Sequence, residues 1–213
     1  MPRPKGSVND DFAATRAVLL AKLRKALLGD APPASFRAMA ACAGVAVPTL
    51  RHYFGDKEAA LSAVFADCRL GAAGELALSA RPTGAFGASV ASLVAHVADG
   101  FRHGRLDRLH VVGLAEGFVA PDVARAYLAE ILEPTIEAAA ARLQAHVDRG
   151  EMRRVPARQA ALALLSPVIL LFLHQQGLDG GTSHPLDIDA FLATHIEGFV
   201  RGYAAAGGGE ARA

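Results

Sequence analysis

The sequence predicts an all-α protein: a small N-terminal head of short helices followed by a larger C-terminal helical domain. Three observations carry this expectation. No stretch alternates β-branched and polar residues over the length of a strand. Alanine and leucine dominate an apolar share of 52% over 213 residues, which favours helix by propensity. Leucine and phenylalanine recur at three- and four-residue intervals between glycine and proline breaks, closely spaced up to about residue 70 and far apart beyond it. The expected division is therefore 1–70 and 71–206, with a glycine-rich tail over 207–213.

The first helix is expected over 11–28, where Phe12, Leu19, Leu20, Leu23 and Leu27 recur at helical spacing. Asp10 and Asp11 suit its positive end, and Gly29 its exit. The loop Asp30-Ala-Pro-Pro-Ala leads to Ser35, placed to cap a short second helix that holds Phe36, Met39 and Ala40. Gly44 can supply the left-handed residue of a tight turn. A third helix, Val47 to Phe54, ends at Gly55, and Asp56 caps a fourth from Lys57 to about Leu70. After a connection over 71–84, longer helices are expected over 85–103, 106–118, 122–149, 157–177 and 187–205.

The formal net charge of +1 conceals an asymmetry. Residues 1–57 hold nine basic against four acidic side chains, and the rest of the chain 13 against 17. A basic head on a mildly acidic body suits a polyanionic partner. Cys42 and Cys68 stand in apolar helical contexts without metal or redox spacing, which points to buried free thiols in a reducing compartment. The opening MPRPKGSVNDD has no apolar signal region. The most apolar run, Ala160 to Leu173, is shorter than the ~20 residues of a membrane span and contains Pro167. A soluble, cytoplasmic protein without a membrane partner is expected.

Two short helices around a glycine-bearing turn make a helix-turn-helix, whose second helix enters a major groove with its N-terminal residues leading. Pro48 fits the first turn of that helix, where its missing N–H costs no hydrogen bond. Thr49, Arg51 and His52 can point away from the core; arginine favours guanine, and threonine can meet a thymine methyl. Leu50, Tyr53 and Phe54 share a packing face against the first and fourth helices. Lys57, with the backbone N–H groups at the start of the fourth helix, can neutralise a phosphate. Ser35, Val47, Pro48 and Tyr53 complete the expected DNA-contact set.

The block SFRAMAACAGVAVPTLRHYFGDKEAAL, Ser35 to Leu61, resembles the DNA-binding segment of TetR-family transcriptional regulators. Met39-Ala40, Ala43-Gly44-Val45, Thr49-Leu50, Tyr53-Phe54, Lys57-Glu58 and Leu61 fill the pattern in order and spacing. Two positions depart from it. Ala46 stands where a hydroxyl residue usually caps the third helix, and Arg51 where a phosphate-touching tyrosine is common. The resemblance implies a homodimer on a roughly palindromic double-stranded operator, acting as a repressor that a small hydrophobic effector releases. An activator, a ligand-independent regulator, or a helical enzyme or carrier are the alternatives. Arg3 and Lys5 resemble the basic arm that some such regulators lay in the minor groove.

The resemblance further implies that helices 157–177 and 187–205 pair with a second subunit in a four-helix bundle. Leu164, Val168, Leu171 and Phe172 would lie on the first, and Phe191, His195 and Phe199 on the second, since broad apolar faces need cover. An effector pocket is expected among helices 85–103, 106–118, 122–149 and 157–177. Phe86 and Phe101 are its apolar candidates, and His110, Glu116, Phe118, Tyr127 and His174 its polar or aromatic ones. The eight histidines form no ligand spacing, so neither a metal nor a cofactor is expected. No nucleophile elbow, P-loop or dinucleotide motif occurs, so catalysis is not expected either.

Overall fold

A computed structural model of the chain describes residues 7–205, with side chains from Asp11 onward. Arg3 and Lys5 lie outside the described residues. The fold is all-helical: α1 (Ser7–Leu27), α2 (Phe36–Ala43), α3 (Val47–Phe54), α4 (Lys57–Gly71), α5 (Ala73–Ser79), α6 (Phe86–His103) and α7 (Leu106–Gly117). Then come α8 (Pro121–Tyr127), α9 (Glu133–Asp148), α10 (Ala157–Phe172), α11 (Gly180–Ser183) and α12 (Ile188–Tyr203). Among the described residues the only extended pairing is an isolated antiparallel bridge between Met152 and Ala204.

The chain forms two compact units, one of residues up to Gly71 together with Arg108–Ile131, the other of Ala72–Asp107 together with the chain from Leu132. A sequence division near residue 70 does not include this return of 108–131 to the first unit. The return has a packing cause. Tyr127 at the end of α8 lies against Phe65 of α4, ring centroids 5.9 Å apart. Gly113 of α7 leaves room for the tyrosine ring, since a Cβ there would sit 2.2 Å from Tyr127 Cδ2. His110 Nδ1 pairs with the Tyr127 hydroxyl beside it.

The rest of the first unit is built on α1, whose Leu19, Leu23 and Leu27 recur every four residues and are all buried. Arg24 ties α1 to α4 through an ion pair with Asp67 at 2.7 Å. Cys42 is exposed rather than buried, because it falls on the outer side of α2. Cys68 is half-buried, and burial pushes its thiol up to about 11.

In the second unit α6 buries Phe86, Val90, Leu93, Val94, Val97 and Phe101, a continuous helical stripe. Phe101 stacks on Phe172 of α10 with centroids 4.7 Å apart. Arg142 of α9 is buried, yet its guanidinium is satisfied. It donates to the carbonyls of Leu78, Ser79 and Ser89 at 2.9, 2.7 and 2.9 Å, closing the C-terminal end of α5. The connection 71–84 thus contains a short helix, α5.

Two long helices expected from the sequence are interrupted. The segment 122–149 widens into a π-helical turn at Leu128–Leu132, just before Pro134. Proline has no N–H to offer the carbonyl four residues back, and a wider turn relieves that mismatch. The segment 157–177 ends in a π-helical turn over Leu173–Gly177. Ala157–Gly177 is, by length and composition, apolar enough to cross a membrane. Here one of its faces packs in the core of the second unit, with Ala161, Leu164 and Val168 fully buried.

The residues expected at a subunit interface mostly pack within the chain itself. Leu164, Val168, Leu171, Phe172 and Phe199 are core residues of their own unit, because α10 lies between α6 and α9 and uses its strongest apolar face there. His195 is half-buried with Nε2 at 2.8 Å from the Leu164 carbonyl oxygen. Of the expected set only Phe191 is exposed.

Phe101→Ala removes a stacked, fully buried ring and is expected to cost about 3–5 kcal/mol, read as a lowered urea midpoint. A second expectation concerns pH. Burial lowers His110 to about 4, so below its ordinary value of 6.5 the unfolded chain takes up a proton that the native site refuses. Stability is therefore complete above pH 6.5 and falls by up to about 1.4 kcal/mol per pH unit on acidification towards 4. Urea midpoints measured from pH 7.5 to 4.5 should fall less steeply in His110→Gln.

Candidate nucleic-acid interface

The helix-turn-helix forms as its local chemistry dictates. Ser35 Oγ accepts from the Ala38 N–H at 3.1 Å, filling one orphan donor at the start of α2. Gly44 closes the same helix with φ 72° and ψ 35°, and its N–H returns to the Ala41 carbonyl at 3.0 Å. Lys22 of α1 donates to the Ala43 carbonyl at 2.9 Å, so the turn is held from beneath. Ala46 gives α3 no side-chain cap.

On α3, Leu50 and Phe54 are buried, and Pro48, Thr49, Arg51 and His52 are exposed. The four-residue spacing of the buried pair fixes the rotation of the helix, which forces the intervening residues outward. Aromatic contacts then orient the outward side chains. Phe12 stacks on Tyr53 at 4.7 Å and meets the edge of His52 at 5.4 Å. The Arg51 guanidinium lies 5.6 Å from the ring centre of Phe36, and that of Arg16 lies 5.0 Å from Phe54. A cation over an aromatic face holds its direction without losing its charge.

The basic surplus of the head is partly committed to the fold. Lys22 holds a carbonyl, Arg24 pairs with Asp67, and Lys57 donates to both Glu116 Oε1 at 2.6 Å and the Ala34 carbonyl at 2.9 Å. Lys57, expected to meet a phosphate, is thus engaged within the first unit in this structure. Asp56 caps α4 by accepting from the Ala59 N–H at 2.8 Å. Ser35, Val47, Pro48, Thr49, Arg51, His52, Tyr53 and Lys57 all belong to the first unit, along the two short helices and the start of α4.

The residues expected to line an effector pocket are divided between the two units. Phe86 and Phe101 fill the core of the second unit, where His174 accepts from the neighbouring Gln175 amide at 2.7 Å. His110 and Tyr127 bond to each other in the first unit, and Phe118 is 86% exposed at the end of α7. A cleft of about 150 Å³ lies in the first unit, lined mainly by Leu27, Pro33, Ala34, Leu61, Val112 and Glu116. Glu116 alone of the expected set borders it. Sequence reasoning missed Phe36, Arg16 and Lys22 as organisers of the head, and Glu116 as the partner of Lys57. Phe12 and Phe36 carry a faint signal as aromatics among alanines, but a contact between positions 57 and 116 has none.

No protein-family model matches the sequence, and no curated protein matches it. Solved structures do. A protein of Mesorhizobium loti assigned to the TetR family of transcriptional regulators is 15% identical, with a TM-score of 0.71 over 91% of this chain and 98% of that one. FadR of Bacillus subtilis, a transcriptional regulator in complex with stearoyl-CoA, is 15% identical with a TM-score of 0.68, over 87% and 98% of the two chains. SmeT, repressor of the Stenotrophomonas maltophilia multidrug efflux pump SmeDEF, is 18% identical with a TM-score of 0.61, over 92% and 94%. At these identities the likeness establishes the fold, which is that of TetR-family regulators.

The capping geometry makes opposite expectations for two neighbouring substitutions. Ala46→Ser supplies the missing cap and should stabilise the head by about 1 kcal/mol. Gly44→Ala forces a Cβ into a left-handed residue and should destabilise it by about 1–2 kcal/mol. Thermal melts of both variants check the signs.

Proposed function

We propose that the protein is a homodimeric, sequence-specific DNA-binding transcriptional regulator whose head comprises residues 1–70. The observation that carries this reading is the outward set on α3, Thr49, Arg51 and His52, fixed by the buried Leu50 and Phe54 on a helix-turn-helix. Thr49 and Arg51 lie in the leading part of the helix, where base edges are read. Ser35 and Val47 flank them and position the backbone.

The dimer is supported by apolar surface on the second unit. Leu162 and Leu170 of α10 and Phe191 of α12 are 39%, 66% and 37% exposed. They lie away from the core side of their helices and give an isologous partner something to cover. A two-fold dimer would present two α3 helices to a palindromic site. Repression relieved by a small apolar effector is the regulatory mode we favour, since fold relatives include a repressor and a regulator in complex with stearoyl-CoA. Effector and DNA then weaken each other's binding reciprocally. In this reading the protein works in the cytoplasm and catalyses no reaction.

Fluorescence anisotropy with labelled duplex from upstream of the protein's own gene, against scrambled duplex at two salt concentrations, tests the reading. Tight, salt-sensitive and selective binding is expected, and equal weak binding to both duplexes would count against it. Arg51→Ala should weaken the selected duplex by roughly 10- to 100-fold with an unchanged melt, the size of one good base contact. Leu170→Arg should shift the protein from dimer to monomer in sedimentation and reduce operator affinity with it.

A further inference from the structure

We propose that Glu116 competes with DNA for the charge of Lys57 and so sets how strongly the head grips phosphate. The inference rests on the DNA-binding reading above. Lys57 opens α4 immediately after the Gly55-Asp56 turn that ends α3, so its ammonium stands beside the helix that carries the outward set. In the structure that ammonium is already engaged. It donates to Glu116 Oε1 at 2.6 Å and to the carbonyl of Ala34, the residue preceding the Ser35 cap of α2, at 2.9 Å. Two of its three donors are used, and its charge is cancelled.

The surroundings sharpen the effect. Asp56 occupies the Ala59 N–H, one of the orphan donors that an anion at the start of α4 would use. Glu58 adds a second carboxylate in the first turn. The corner thus holds three carboxylates and one ammonium, and it offers a phosphate little attraction while Lys57 stays on Glu116. The pair is breakable. The Lys57 and Glu116 side chains are 26% and 27% exposed, so water screens them and a DNA phosphate can take over the ammonium. Glu116 on α7 is therefore a determinant of affinity that touches no DNA itself.

The test is a double-mutant cycle on labelled duplex over a salt series, using the full chain as wild type, Glu116→Gln, Lys57→Ala and the double variant. Glutamine keeps the shape and can still accept from Lys57, and a thermal melt verifies that each variant is folded. Glu116→Gln is expected to bind duplex roughly two- to fivefold more tightly. Its salt slope should steepen by about 0.9, one additional phosphate contact. The gain should vanish when Lys57 is alanine. Unchanged or weaker binding by a folded Glu116→Gln, with wild-type binding intact, would overturn the competition and leave the pair a structural strut. A gain that survives Lys57→Ala would also overturn it, since the carboxylate would then act by general repulsion. If the wild type shows no salt-sensitive duplex binding, the DNA-binding reading fails and this inference falls with it.

Discussion

Leu50 and Phe54 impose the constraint on which the exposed chemistry of the head depends. They sit one helical turn apart on α3 and are both buried. A short helix held by only two apolar anchors cannot rotate without exposing one of them. Everything presented to solvent by Pro48, Thr49, Arg51 and His52 follows from that fixed rotation. The left-handed Gly44 then sets the angle at which α3 leaves α2, and Lys22 pins the carbonyl just before it. Without a side-chain cap, α3 relies on packing rather than on its own N-terminus for stability.

Aromatic rings give this small surface its order. Phe12 brings α1 under Tyr53 and His52, and Phe36 brings α2 under Arg51. Long polar side chains on a surface normally sample many rotamers, and ordering them costs entropy on binding. A guanidinium resting on a ring has already met part of that cost, while its charge remains open to a partner. The charge balance of the head follows the same logic in reverse. Several of its cations are engaged with carbonyls or carboxylates, so a net surplus overstates the charge free to meet a polyanion.

The second unit is built around a proline-bearing apolar helix. Pro167 lies within α10, where Ser166 Oγ donates to the Leu162 carbonyl at 2.7 Å one turn earlier. The buried side of the helix faces α6 and α9, and the opposite side leaves Leu162 and Leu170 in solvent. Arg142 is the polar counterpart of that core. Its three carbonyl partners explain how a guanidinium persists in the interior, because every buried donor of a charged group needs an acceptor.

The sequence by itself determined the helical class and the head from Ser35 to Leu61: the cap at Ser35, the turn at Gly44, the bounds of α3 and the start of α4. These features are local. A cap, a left-handed glycine and a four-residue apolar spacing act over one or two turns, so they are written where they act. Tertiary structure alone decided the rest. The return of 108–131 to the first unit depends on Tyr127 finding Phe65 and on the absence of a Cβ at Gly113. The pairing of Lys57 with Glu116 joins residues 59 apart in the chain. The apolar faces of α10 and α12 were legible as apolar, but which side was core and which was surface was not. A helix rich in leucine on most of its circumference has no periodicity to mark its inside, and only the neighbours it packs against can choose one.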